Sequence, residues 1–147
     1  MQFSTPHHAL PLLASGQAQK EITHNEALII IDALLAGSIE SAALTEPPPT
    51  IAVGQMWLVA ANAAGVWDGQ SGRLALMSEG GWRYIDPPVG SRFYDRNRSA
   101  FICLRENGWV HPLFIGLPNG GSVVDAEARA TLENIKNILT SLGLAVP

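Results

Sequence analysis

The chain holds a single cysteine, Cys103, so it can form no internal disulfide and cannot supply the thiolates of a structural zinc site. Flanked by Ile102 and Leu104, that thiol reads as a buried one. Charge is scarce as well, at 15% of residues, and the balance is acidic, with a net charge of −4 and a pI near 5.4. A nucleic-acid partner requires a basic patch, which this balance does not provide. Arg92, Arg96, Arg98 and Arg105 do cluster, but Asp95 and Glu106 lie among them, and the group reads as a mixed-charge surface. No apolar run approaches the roughly 18 residues of a membrane span, and residues 1–6 lack the basic start of a secretory leader. The expectation is a chain made in the cytoplasm, with no membrane insertion. Enzyme signatures are missing too: there is no nucleophile elbow, dinucleotide fingerprint or phosphate loop. The glycine-rich residues 116–121 lack the Lys-Ser/Thr pair of a phosphate loop. No enzyme activity, cofactor or metal is expected.

What is present is apolar residue, 47% of 147 positions, enough to build the core of one small domain. So little charge on so small a body implies that another chain covers part of its apolar surface. Residues 1–15 read as an extended arm. A helix follows, capped by Ser15 and ended by Gly37, within an N-terminal helical region of residues 16–46. Its first half is polar. In its second half apolar residues appear on every side, with Asp32 as the one interruption. A helix end that is apolar all round is normally enclosed on several faces, which points to a partner subunit at Leu28, Ile31 and Leu35.

Pro47, Pro48 and Pro49 stop any helix and mark the boundary to a β body over residues 51–115. Short apolar segments alternate there with turn clusters, Asn107-Gly108 being the strongest hairpin signal. An imperfect repeat is visible, residues 74–83 against 101–110: an apolar strand, a glycine-containing turn, then Trp82 or Trp109. Two such hairpins suggest a small antiparallel meander or half-barrel. A C-terminal amphipathic helix is expected over residues 122–143, capped by Ser122 or Asp125. Within it Ala128, Leu132, Ile135, Leu139 and Leu142 recur at spacings of four, three, four and three, a heptad seam only two heptads long. An oligomer interface and packing within the chain both fit that stripe. The fold class is α+β.

Two groups invite a chemical reading. His24, with Glu21 three residues before it and Glu26 two after, resembles part of a metal or acid–base site but lacks a third ligand at helical spacing. A small hydrolase built on His24 and Glu26 is accordingly disfavoured, and these residues read as hydrogen-bonding between turns or subunits. Four tryptophans and two tyrosines crowd the β body, where exposed rings could stack on sugars. Most must fill the core. Trp67, between Gly65 and Gly69, is the residue most expected to be exposed, with Trp82 and Tyr84 beside it as a candidate glycan surface.

The stretch Gly16-Gln17-Ala18-Gln19-Lys20-Glu21-Ile22-Thr23-His24-Asn25-Glu26-Ala27-Leu28, continuing to Leu35, resembles an uncharacterised domain family found in tail-fibre and spike proteins of prophages and gene transfer agents. The β elements Gly54-Gln55-Met56-Trp57-Leu58-Val59, Gly65-Val66-Trp67-Asp68-Gly69 and Gly81-Trp82-Arg83-Tyr84 extend the resemblance. So does the segment Gly121-Ser122-Val123-Val124-Asp125-Ala126-Glu127-Ala128-Arg129. The resemblance implies a virion structural protein, a short fibre, spike or fibre adaptor. It also implies a homotrimer, other virion proteins as partners, and a role in attachment to a host-surface glycan. It carries no catalytic residues. This chain departs from long fibres in having no repetitive shaft. The alternative reading is a stand-alone carbohydrate-binding module working through Trp67, Trp82 and Tyr84.

Overall fold

The computed structural model describes residues 4–14, 20–121 and 125–146. Helix α1 (Lys20–Ala36) leads straight into a two-residue strand β1 (Ser38–Ile39). The strands β2 (Met56–Leu58), β3 (Leu74–Ser78) and β4 (Gly81–Ile85) follow, with a 3-10 turn at Gly65–Trp67 between β2 and β3. Then come β5 (Arg92–Asp95), β6 (Ala100–Arg105), β7 (Gly108–Val110) and helix α2 (Ala126–Ser141). The expected α+β class is thus the observed one. The expected capping by Ser15 and Ser122 falls outside the described residues.

The strands make two sheets, β2-β3-β4 and β1-β5-β6-β7, and neither closes into a barrel. Every pairing is antiparallel except β1 with β5, where Ser38 lies beside Tyr94 and Ile39 beside Asp95. The small antiparallel β body is thus built as two sheets, antiparallel apart from the short β1–β5 pairing. Residues 40–44 run along β2, with Glu40 N donating to Met56 O, Leu58 N to Ser41 O and Ala60 N to Leu44 O. The end of the helical region is hydrogen-bonded into the β body, so α1 and the sheets share one core.

That core lies between the two sheets. Met56, Leu58, Leu74, Leu76 and Ile85 face Ile39, Phe93 and Ile102, and α1 adds Ala33, Ile29, Ile30 and Leu34. Fully burying side chains of this size is worth about 1.5–3 kcal/mol each. The alternation of β6 follows from this: Ile102 points inward, while Phe101, Cys103 and Arg105 lie on the other face. Strand β3 does not alternate, because both of its faces are covered.

The sequence repeat maps onto one hairpin in each sheet. Trp82 stands opposite Met77, and Trp109 opposite Leu104, at the same step from the turn. The loops are Glu79-Gly80 and Glu106-Asn107, one residue earlier than the Asn-Gly reading placed the second. Gly81 (φ 96°) and Gly108 (φ 110°) are the left-handed residues that open the return strands. Among the described residues no helix is long and apolar enough to cross a membrane.

Candidate functional site

Helix α2 is the feature of this fold that its own chain leaves unfinished. The Asp125 carboxylate caps it by accepting from Ala128 N at 2.9 Å, and Glu127 sits in the first turn, where the helix dipole favours an acid. At the other end Gly143 adopts φ 69°, its N–H donates to Thr140 O, and Leu144 N donates to Leu139 O. These are the two crossed bonds of a Schellman stop. Phe101 N then takes Gly143 O as its acceptor and ties the helix end to β6. Residues 113–121 run back alongside α2. Arg129 donates to the carbonyls of Pro118 and Gly120, and Lys136 Nζ sits 4.6 Å from the centre of the Phe114 ring.

Both helix ends are well made, yet not one α2 residue is buried. Of the expected seam, Ala128, Leu132, Ile135 and Leu142 are exposed and Leu139 is half-buried. Ile138, which the heptad reading omitted, is 57% exposed and widens the stripe. Leu113, Phe114 and Leu144 add further uncovered apolar surface at the same end of the chain. The apolar run Leu113-Phe114-Ile115, inside the expected β body, lies past the last strand. On α1 the expected contact residues divide differently. Leu28 is half-buried, whereas Ile31 and Leu35 remain exposed at 46% and 66%. The opposite side of α1 is committed to the core through Ala33 and Ile29.

The aromatic cluster is brought together, but facing inward. The 3-10 turn carries Trp67 onto the outer face of β2-β3-β4, between Trp57 and Trp82, with ring centres 6.1 and 5.3 Å away. The ring of Trp67 has no exposed surface, and among the described residues its Nε1 finds no hydrogen-bond acceptor. The expectation of an exposed Trp67 is corrected: its glycine neighbours serve a tight turn that folds the ring in. Trp82 and Tyr84 are half-buried against the same cluster. The Tyr84 hydroxyl donates to Val66 O at 2.6 Å, and burial raises its pKa above 10.0. This side of the sheet is a second small core.

Asp32 does organise a site, though a structural one. It is fully buried on α1 and accepts from Thr5 Oγ1 at 2.8 Å, His7 N at 2.9 Å and His8 N at 2.7 Å, with His8 Nδ1 at 3.0 Å. The arm is thereby clasped to the helix, aided by Asn25, which exchanges two hydrogen bonds with the backbone of Leu13. Burial pushes the carboxyl up, but donors from His7, Thr5 and His8 outweigh it and hold the pKa below its ordinary 3.8. His24 and Glu26 form no catalytic pair. Two residues apart on a helix, they face away from each other, and Glu26 instead pairs with Arg83 on β4 at 3.1 Å. Among the described residues no three His, Cys, Asp or Glu side chains gather in a metal-holding group.

No curated protein matches this chain. The sequence pattern of the family DUF2793, proteins of unknown function, matches residues 24–110. The match starts in the second turn of α1 and ends with β7, so it takes in both sheets and leaves the arm and α2 outside. With well over half of its length inside the match, the chain belongs to the DUF2793 family of proteins of unknown function.

Proposed function

We propose that the protein is a virion structural component of phage or gene-transfer-agent type, a short fibre, spike or fibre adaptor. In this reading it assembles as a homotrimer through α2 and presents its β body for attachment. The observation that carries the assembly half is the apolar stripe of α2, which nothing among the described residues buries. The virion half is supported by the sequence resemblance to tail-fibre and spike proteins.

The stripe has a preference of its own. With Ala128, Ile135 and Leu142 at the d positions, Leu132 and Leu139 fall at a. Leucine at a with isoleucine at d favours three or four strands, whereas dimers prefer the β-branched residue at a. Ile138 falls at the flanking g position, and a stripe of that width suits a bundle of more than two helices. Two heptads are short for a coiled coil standing alone. The uncovered Leu113 and Phe114 supply the additional contact that so short a seam needs.

Light scattering on a sizing column tests this directly. The expected mass is near 47.1 kDa, three times the 15.7 kDa of the chain. A monomer at micromolar concentration would overturn the assembly reading and move the stand-alone carbohydrate-binding module to first place.

A further inference from the structure

The protein has seven arginines, and five of them have oxygen partners. Arg73 pairs with Asp86, Arg83 with Glu26, Arg96 with Glu40 and Arg98 with Asp95, while Arg129 grips two carbonyls. Among the described residues only Arg92 and Arg105 have neither a carboxylate nor a hydrogen-bond acceptor. In a chain of net charge −4, acidic partners are not in short supply. Yet the two unpaired arginines line the same groove.

That groove, about 300 Å³, lies on the outer face of β5-β6-β7. The register builds it. Arg92 stands beside Cys103, Cys103 beside Val110, and Arg105 follows two residues along β6 on the same face. The Arg92 guanidinium is held 5.0 Å over the Phe101 ring, which fixes the direction of its donors. His111, Pro112 and Leu144 close the other wall. His111 Nδ1 lies 3.0 Å from Arg98 Nη1; because a guanidinium only donates, Nδ1 must accept and Nε2 is left as the donor. Two like charges placed close together repel each other, and a bound anion relieves this. A bare anion would leave Phe101, Val110 and Leu144 uncovered, whereas a ligand with a carbon skeleton would cover them.

We infer that this groove binds the carboxylate of an acidic saccharide, with Arg92 and Arg105 as the anion clamp and Phe101, Val110 and Leu144 against the ring. The anion site stands by itself; the choice of a sugar over another organic carboxylate rests on the attachment role proposed above. The volume is at the lower bound of ligand pockets, about 300 Å³, and suits one or two sugar units.

Cys103 provides the readout, since the only cysteine of the chain sits half-exposed inside the groove. Its rate of reaction with a maleimide would be measured on the full-length protein with a glucuronate-containing disaccharide, the neutral glucose disaccharide, sodium acetate and inorganic phosphate. Calorimetry would be run in parallel. Protection by the acidic disaccharide alone is expected, weakening as salt is added. Arg92→Gln with Arg105→Gln, both on an outer sheet face, should lower that affinity by about tenfold or more. Equal protection by acetate or phosphate would overturn the saccharide assignment, and protection by none would overturn the site. An unchanged affinity in the double variant would overturn the clamp. None of these outcomes alters the mass on the sizing column, so assembly and attachment fail separately.

Discussion

The two most informative single residues, Asp32 and Trp67, are both wholly buried polar-capable side chains, and they resolve that condition in opposite ways. Asp32 is saturated: four donors converge on one carboxylate. Replacing it by asparagine keeps the shape but removes the charge and turns one acceptor into a donor facing N–H groups. A loss of about 1–3 kcal/mol at neutral pH is expected in urea unfolding. The pH dependence has a definite sign. Because the folded carboxyl titrates below its ordinary 3.8, its stabilisation is present above that value and is lost as pH falls through the lower folded pKa. The gap between wild type and Asp32→Asn should therefore be constant near neutrality and close in acid. A gap that persists unchanged at the acid end would show that the clasp does not act through the charged form. Trp67 is the opposite case, a buried indole whose N–H has no acceptor among the described residues and whose value lies in packing against Trp57 and Trp82. Trp67→Ala should destabilise by about 3–5 kcal/mol, the range for emptying a tryptophan site. Its thermal midpoint should fall with no selective change in sugar binding. A variant that unfolds like wild type yet loses a glycan would return Trp67 to the role its glycine neighbours suggested.

At the scale of elements, termini and turns decide how the pieces connect. Gly143 is the clearest instance, since it stops α2 and approaches β6 at once. A β-carbon there would lie 3.1 Å from Phe101 Cδ2, on a backbone at φ 69° that L-residues rarely adopt. Gly143→Ala is expected to cost about 1–2 kcal/mol in denaturant unfolding and to perturb the exit of α2 from the body. A neutral result would mean that the last turn can rewind without its Schellman stop. The same scale shows what the sequence made legible. Hairpins β3-β4 and β6-β7 could be read because repetition and glycine mark them locally, and α2 because its caps and heptads are local too. The segment after α1 could not. Ser38-Ile39 pairs with a strand more than fifty residues later in the chain, and a two-residue parallel pairing leaves no periodic signature. The orientation of Trp67 was hidden for a related reason: glycines announce a turn, but not which face of a sheet the turn folds back over. In the sequence Arg92 and Arg105 belong to a mixed-charge group with Arg96, Arg98, Asp95 and Glu106. Only tertiary pairing shows that Arg96 and Arg98 are neutralised and these two are not.

For the whole molecule, the question is which apolar surface is surplus to the monomer. The main core is complete without α2: it draws on α1 and on strands of both sheets, and among the described residues every one of its members lies between residues 29 and 109. The family match, residues 24–110, covers nearly the same span. Helix α2 is thus an addition to a finished domain, and its apolar side chains are free to be committed elsewhere. Substituting them should separate assembly from folding. Leu132→Asp with Ile135→Asp would place carboxylates at adjacent a and d positions in every copy of the seam, where like charges would meet without water. That variant is expected to elute as a monomer of 15.7 kDa, with a thermal midpoint for the β body close to that of wild type diluted to its monomer. Leu35→Lys, on a helix whose other side already serves the core, should leave the proposed trimer intact. The reverse pattern, in which Leu35→Lys dissociates the protein and the α2 variant does not, would move the interface to α1. Loss of the folded body in the α2 variant would refute the separation itself, because it would mean that α2 stabilises its own domain through contacts that its exposure conceals.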